Sequence, residues 1–223
     1  MKFFLDTSLL SDINYWKKLN LVDGVTTNPS LLSKNKGDVL KNLTNIIKTV
    51  NGPISAQVTY HETEQMIKQG MSFAKLSKNI VIKLPSNVEG LKAAKYLKKI
   101  GKKVNITLGF EPSQIIAFAK INVDYFSLIY GKTEDWGFSN LNSISETKKI
   151  LGKLNSKTKL LVASLRNPDH LKNAIINGAD VVTVPPSTWE KVYTNKYSNL
   201  ANKRFISDWK KINKINKYKY EKI

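Results

Sequence analysis

The chain has 223 residues, a formal net charge of +19 and no cysteine. The absence of cysteine excludes disulfides, thiolate metal sites and thiol nucleophiles, and having only His61 and His170 argues against a histidine-rich metal centre. The positive charge is nearly all lysine, with Arg166 and Arg204 the two arginines; nucleic acid is therefore a poor partner, because bidentate contacts to bases and phosphates favour arginine.

The length suits one α/β domain with a sizeable core. No apolar run approaches the roughly 18 residues of a membrane span, and Asp6 interrupts the N-terminal apolar stretch too early for a signal peptide. No membrane association and a cytoplasmic location are expected.

In chain order, strands are predicted at 2–7, 24–27, 54–59, 80–85, 103–108, 125–130, 159–164 and 181–185. Helices are predicted after each, at 8–19, 37–50, 62–76, 88–100, 112–121, 143–154, 168–176 and 188–194. Asn167-Pro168 supplies a cap and a first-turn proline, Ser187 is a candidate cap for the eighth helix, and Gly101 and Gly178 follow helices as C-terminal caps do. Eight strand–helix units predict a closed parallel (β/α)8 TIM barrel over 1–198. The competing open, doubly wound sheet usually carries a Gly-rich loop after its first strand, and none follows Asp6. A further helix, at about 199–213, presents Phe205, Ile206 and Trp209, which are too large to leave wet; they pack on the barrel or on a neighbouring subunit. Lys210, Lys211, Lys214, Lys217, Lys219 and Lys222, interleaved with Tyr218 and Tyr220, complete a 199–223 segment that reads as a solvated tail, with polyanion binding as the alternative.

Lys83 stands inside Ile80-Val81-Ile82-Lys83-Leu84-Pro85, an apolar, β-branched run. Such a lysine either leads its ammonium out to water or loses its proton on burial. The neutral amine is a nucleophile that forms Schiff bases with carbonyl compounds. Chemistry in a barrel lies at the C-terminal strand ends. There the sequence places Asp6, Thr26, Asn28, Gln57, Asn105, Thr107, Ser164 and Arg166, with Lys132 near the rim. An acid, amides, hydroxyls and an amine suit a polyhydroxylated carbonyl substrate, and Ser164, Arg166 and Lys132 suit a phosphate.

Phe4-Leu5-Asp6-Thr7, Val22-Asp23-Gly24-Val25-Thr26-Thr27-Asn28-Pro29-Ser30, Val81-Ile82-Lys83-Leu84-Pro85, Asn105-Ile106-Thr107, Ala163-Ser164-Leu165-Arg166 and Gly178-Ala179-Asp180 together resemble the transaldolase family. The likeness is to its small branch, which includes the fructose-6-phosphate aldolases. It implies a (β/α)8 barrel, no cofactor or metal, and a homo-oligomer, commonly a decamer, whose C-terminal helix crosses to a neighbour. It implies a sugar-phosphate substrate whose C3–C4 bond is made or broken, with transfer of a dihydroxyacetone unit, as in the pentose phosphate pathway. Lys83 would form the Schiff base and Asp6 would take the C4 hydroxyl proton. Asn28 and Asn105 would hold the three-carbon unit, Gln57 and Thr107 would position a water, and Ser164 and Arg166 would bind phosphate.

Three positions depart from the pattern. Gln57 replaces the Glu of typical transaldolases, Ile129 stands where the aldolase branch has a tyrosine, and Lys132 replaces an arginine. The resemblance therefore leaves open an aldolase-like or divergent enzyme acting on an unusual sugar with an altered proton relay. Period-two alternation points Tyr130 away from the site unless a bulge intervenes.

Overall fold

The structure, a computed structural model, describes residues 1–35, 38–137 and 142–216. Among them, eight parallel strands close into a barrel in sequence order. They are β1 (Lys2–Asp6), β2 (Gly24–Thr26), β3 (Ile54–Gln57), β4 (Ile80–Pro85), β5 (Val104–Gly109), β6 (Tyr125–Ile129), β7 (Lys159–Ala163) and β8 (Val181–Val184). The connecting helices are α1 (Leu10–Lys18), α2 (Pro29–Leu32), α3 (Val39–Thr49), α4 (Thr63–Ala74), α5 (Val88–Lys99), α6 (Ile116–Lys120), α7 (Ser143–Lys153), α8 (Pro168–Ile176) and α9 (Pro186–Tyr193), and α10 (Lys196–Asn216) follows the barrel. The predicted 112–121 helix is divided into a 3-10 turn at Pro112–Ile115 and α6, and α2 is a short helix that the sequence reading missed.

Alternation along each strand sorts the side chains into two cores. Outward residues such as Leu5, Ile54, Ile82, Ile106, Phe126, Val162 and Val182 pack under the helices. Inward residues form a separate apolar plug: Phe4, Val81, Tyr125, Ile129, Leu161, Ala163 and Val181. Phe4 and Tyr125 meet edge to face at 5.8 Å across its lower part. Its lower members, Phe4, Val81, Tyr125, Leu161 and Val181, close the barrel beneath the functional end, and the polar inward residues on β1 to β6 and β8 lie above them beside Ile129 and Ala163.

A repeated device sets the lower rim. Asp23, Asp124 and Asp180 each directly precede an even-numbered strand. Each carboxylate accepts the backbone N–H of a residue 20 positions earlier, namely Phe3, Val104 and Leu160, at 2.8 Å. The bonds tie β1 to the start of β2, β5 to that of β6, and β7 to that of β8. The helices before these strands end in left-handed residues, Asn20, Asn122 and Gly178, and Gly101 and Asn155 end α5 and α7 in the same way. The two glycines act as the sequence predicts; asparagine, the other residue that tolerates this conformation, ends the other three helices.

Asn28, Asp38, Asn87 and Asn167 each accept a backbone N–H from the first turn of their helices, each contact worth about 1 kcal/mol. The expected Ser187 cap is not formed. Pro186 starts α9, which places Ser187 inside the first turn and makes Pro185 the capping residue. α10 is longer than predicted. Phe205, Ile206 and Trp209 on it are 68%, 50% and 49% exposed, so within one chain they are not buried on the barrel. Of the tail lysines, Lys210 and Lys211 are exposed. The side chain of Lys214, and Lys217, Tyr218, Lys219, Tyr220 and Lys222, lie outside the described residues. No described helix is long and apolar enough to cross a membrane.

Candidate active site

The C-terminal ends of the strands surround a cleft of about 460 Å³. Asp6, Thr26, Asn28, Gln57, Lys83, Thr107, Lys132, Ser164 and Arg166 all line it. Nine of the ten predicted site residues therefore converge.

Lys83 points inward from β4 and is only 7% exposed. Its ammonium does not escape to the rim; Nζ donates to the Thr27 carbonyl at 3.2 Å. Burial pulls its pKa below the usual lysine range, while the charge of Asp6 partly opposes the shift. Asp6, inward at the end of β1, is perturbed the other way. Burial raises its pKa, and Lys83 and a hydrogen bond from Thr26 hold it down. Each group is the other's main charged neighbour, and each partly offsets the effect of burial on the other.

Two hydroxyl groups support Asp6, and two more hold Asn105. Thr26 Oγ1 donates to Asp6 Oδ1 at 2.7 Å and lies 2.6 Å from Thr183 Oγ1. A hydroxyl has one proton to give, so with Asp6 ionised Thr183 donates to Thr26 and the order is Thr183 to Thr26 to Asp6. Ser127 Oγ donates to Asn105 Oδ1 at 2.8 Å, and Asn105 Nδ2 donates to Ser55 Oγ at 3.1 Å.

Asn105 is thus the exception among the predicted residues. It is fully buried and does not line the cleft. It lies beside Lys83 in the β4–β5 register, one layer below the opening, and both ends of its carboxamide are engaged by serines. Ser127 and Thr183 line the cleft and were missed, although period-two reading of β6 (Tyr125, Ser127, Ile129) and of β8 (Val181, Thr183) would have found them.

One wall of the cleft is apolar. Ile129 and Ala163, paired in register, line the wall with Leu108 and Phe110. Tyr130 faces the other way as its spacing predicts, buried against His170 at 5.4 Å. Among the described residues lining the cleft, Asp6 is the sole carboxyl group, and none is tyrosine, glutamate or histidine. Leu108 and Ser164 adopt left-handed conformations at the ends of β5 and β7. Such backbone strain in non-glycine residues concentrates at ligand-holding sites.

At the rim, the Arg166 guanidinium is paired with Asp135 and holds that carboxyl below the usual range, with Lys132 contributing. His170 buttresses the loop: Nδ1 accepts the Arg166 N–H at 3.3 Å and Nε2 lies 2.8 Å from Glu134. Gly131 is required there, because a Cβ would stand 2.2 Å from the Ser164 carbonyl.

A desolvated amine beside a half-buried carboxyl, at the catalytic end of a (β/α)8 barrel, is the arrangement of enzymes that process carbonyl compounds through a Schiff base. Comparison with known proteins narrows that class. The family model described as Transaldolase/Fructose-6-phosphate aldolase matches residues 3–222. A probable transaldolase of Brucella anthropi is 40% identical over 211 residues, 95% of this chain and 97% of that protein. Probable transaldolases of Lactiplantibacillus plantarum and Methanococcus maripaludis are 39% and 38% identical, each covering 94% of this chain and 97% of the relative. The chain belongs to the transaldolase/fructose-6-phosphate aldolase family.

Proposed function

We propose that this enzyme cleaves and forms the C3–C4 bond of ketose phosphates in the cytoplasm, passing a dihydroxyacetone unit from ketose to aldose. The observation that carries this reading is buried Lys83 facing the same cleft as the half-buried Asp6. Lys83 Nζ attacks the C2 carbonyl, and loss of water leaves an iminium. Asp6 takes the C4 hydroxyl proton. The C3–C4 electron pair moves into the iminium to give an enamine, and the shortened aldose phosphate departs. The enamine then adds to a second aldehyde, or is protonated at C3 and hydrolysed to dihydroxyacetone.

As the sole carboxyl group among the described residues lining the cleft, Asp6 serves every proton-transfer step, taking the proton in cleavage and returning it in addition. Its raised pKa suits both directions. Gln57 and Thr107 position the water that enters and leaves with the imine. Asn28, whose Oδ1 caps α2 at 2.9 Å, presents its NH₂ to the sugar hydroxyls. Asn105 acts through Ser127, orienting a hydroxyl that faces the substrate. Ser164, Arg166 and Lys132 receive the phosphate, with Asp135 released from Arg166 as it binds. α10 places Phe205 and Ile206 on a neighbouring copy of the chain.

Borohydride reduction in the presence of fructose 6-phosphate, followed by peptide mass spectrometry, tests the reading. A three-carbon adduct on Lys83 is expected. An adduct on another lysine, or none with a panel of ketoses, would overturn it. Product analysis with and without erythrose 4-phosphate distinguishes the outcomes: acceptor-dependent consumption means transfer, and acceptor-independent release of dihydroxyacetone means aldol cleavage. The apolar wall at Ile129 removes a proton donor from the acceptor side and favours transfer.

A further inference from the structure

A second cavity, of about 930 Å³, opens at the opposite, N-terminal end of the barrel. It is larger than the catalytic cleft and is lined by seven lysines and one carboxylate, Asp124. Lys2, Lys103 and Lys159 stand at or just before the starts of β1, β5 and β7, and Lys157 lies in the loop before β7. Lys95, Lys98 and Lys99 come from the final turns of α5. Asp124 is already engaged, by Lys98 at 2.8 Å and by the Val104 N–H. Among the described residues, none of the other six lysines has an ion-pair partner.

The dipole of α5 favours cations in its last turn and accounts for Lys98 and Lys99. It does not account for the four lysines contributed by the strand starts and the loop. Converging like charges in a concavity repel one another, and low-dielectric walls concentrate their field on whatever enters. An ammonium binds phosphate as a point charge, so the lining suits several phosphates close together without demanding one geometry. The apolar plug, closed at this end by Phe4 and Tyr125, separates the basin from Lys83.

We propose that this basin is a binding site for a compact oligophosphate, distinct from the substrate cleft. The shared chemistry is a linked chain of phosphates, whether inorganic or part of a nucleotide. Binding neutralises the basin and therefore raises the thermal midpoint of the whole enzyme by mass action.

Titration calorimetry and thermal shift with tripolyphosphate and with ATP, in about 0.1 M salt where long-range attraction is screened, test the proposal. Saturable one-to-one binding is expected. Reversing two exposed basin charges, Lys103→Glu with Lys157→Glu, should weaken it about 30-fold, since each reversal removes one attraction and adds one repulsion. The charge-matched control Lys68→Glu with Lys75→Glu, on and next to α4, should change it less than about threefold, and Arg166→Ala should leave it intact. Borohydride trapping at Lys83 should proceed normally in the basin variant, which establishes that it is folded. Equal loss in basin and control variants, loss in Arg166→Ala, or no saturable binding would overturn the proposal. Tighter binding of ATP than of tripolyphosphate assigns the nucleotide source; equal binding assigns the bare chain.

Discussion

Replacing Asp6 by asparagine separates the two halves of the reaction. The amide is nearly isosteric, and its oxygen can still accept from Thr26 Oγ1, now 2.7 Å from Asp6 Oδ1, so the β1 end should keep its position. The charge is lost. Asp6 raises the pKa of Lys83 against the larger effect of burial; without it, the Lys83 pKa falls further and the amine is neutral to lower pH. Imine formation should therefore survive, with its acid limb moved to lower pH. Bond cleavage should fall about 10²–10⁴-fold, the usual loss for a missing general base, because no second carboxyl group lines the cleft among the described residues. Single-turnover borohydride trapping with dihydroxyacetone measures the first half, and aldose release from fructose 6-phosphate measures the second. A loss of cleavage below about tenfold, or an equal loss of trapping, would refute the assignment of Asp6 as the base for the C4 hydroxyl.

Four further outcomes follow. The double variant Asp6→Asn with Lys83→Met should be more stable than the native enzyme at pH 7, by on the order of 1 kcal/mol in urea unfolding, because two ionisable groups that burial penalises are exchanged for neutral groups of similar volume. The sign with pH can be stated for each group. A lowered lysine pKa gives stability that is present above 10.5 and lost as pH falls through the folded value. A raised Asp pKa gives stability that is present below 3.8 and lost as pH rises through the folded value. The native enzyme therefore bears both penalties between those values, and the advantage of Lys83→Met alone should shrink as pH approaches 10.5. Ile129→Tyr should raise the rate of acceptor-independent cleavage about 10-fold or more by supplying a hydroxyl to the apolar wall; an unchanged rate in steady-state assays would count against that wall being short of a proton donor. Arg166→Ala should raise KM for phosphorylated aldoses about 10- to 100-fold with little change for unphosphorylated glyceraldehyde, and Asp135→Asn should lower the same KM. Phe205→Asp with Ile206→Asp should yield a smaller species in native mass spectrometry; an unchanged mass would show that α10 does not hold the subunits together.

Much of the fold is legible in the sequence because its signals are local. The alternation of short β-branched runs with amphipathic stretches specifies eight units. Asn167-Pro168, Gly101 and Gly178 mark helix ends through backbone preferences that need no distant partner. The misses are also local but weaker: Asn20, Asn122 and Asn155 end helices in the glycine-like conformation, and Pro186 rather than Ser187 fixes where α9 begins. The aspartate ties at Asp23, Asp124 and Asp180 share a 20-residue spacing that is written in the chain, but it acquires meaning once parallel neighbours are known.

The residue types of the site, and the strand ends that carry them, are properties of the chain: Lys83 in an apolar strand, Asp6, Asn28, Gln57 and Thr107 at the mouth. Alternation alone turns Tyr130 outward and leaves Ile129 in its place. Closure of the barrel decides the rest. It brings Thr183 on β8 against Thr26 on β2 and couples Asp6 on β1 to Lys83 on β4, setting the proton affinities of both. It buries Asn105 behind Ser127 and gathers scattered lysines into a basin at the far end. Desolvation and charge coupling depend on which atoms surround a group in space, and that information is distributed over residues as far as 157 positions apart.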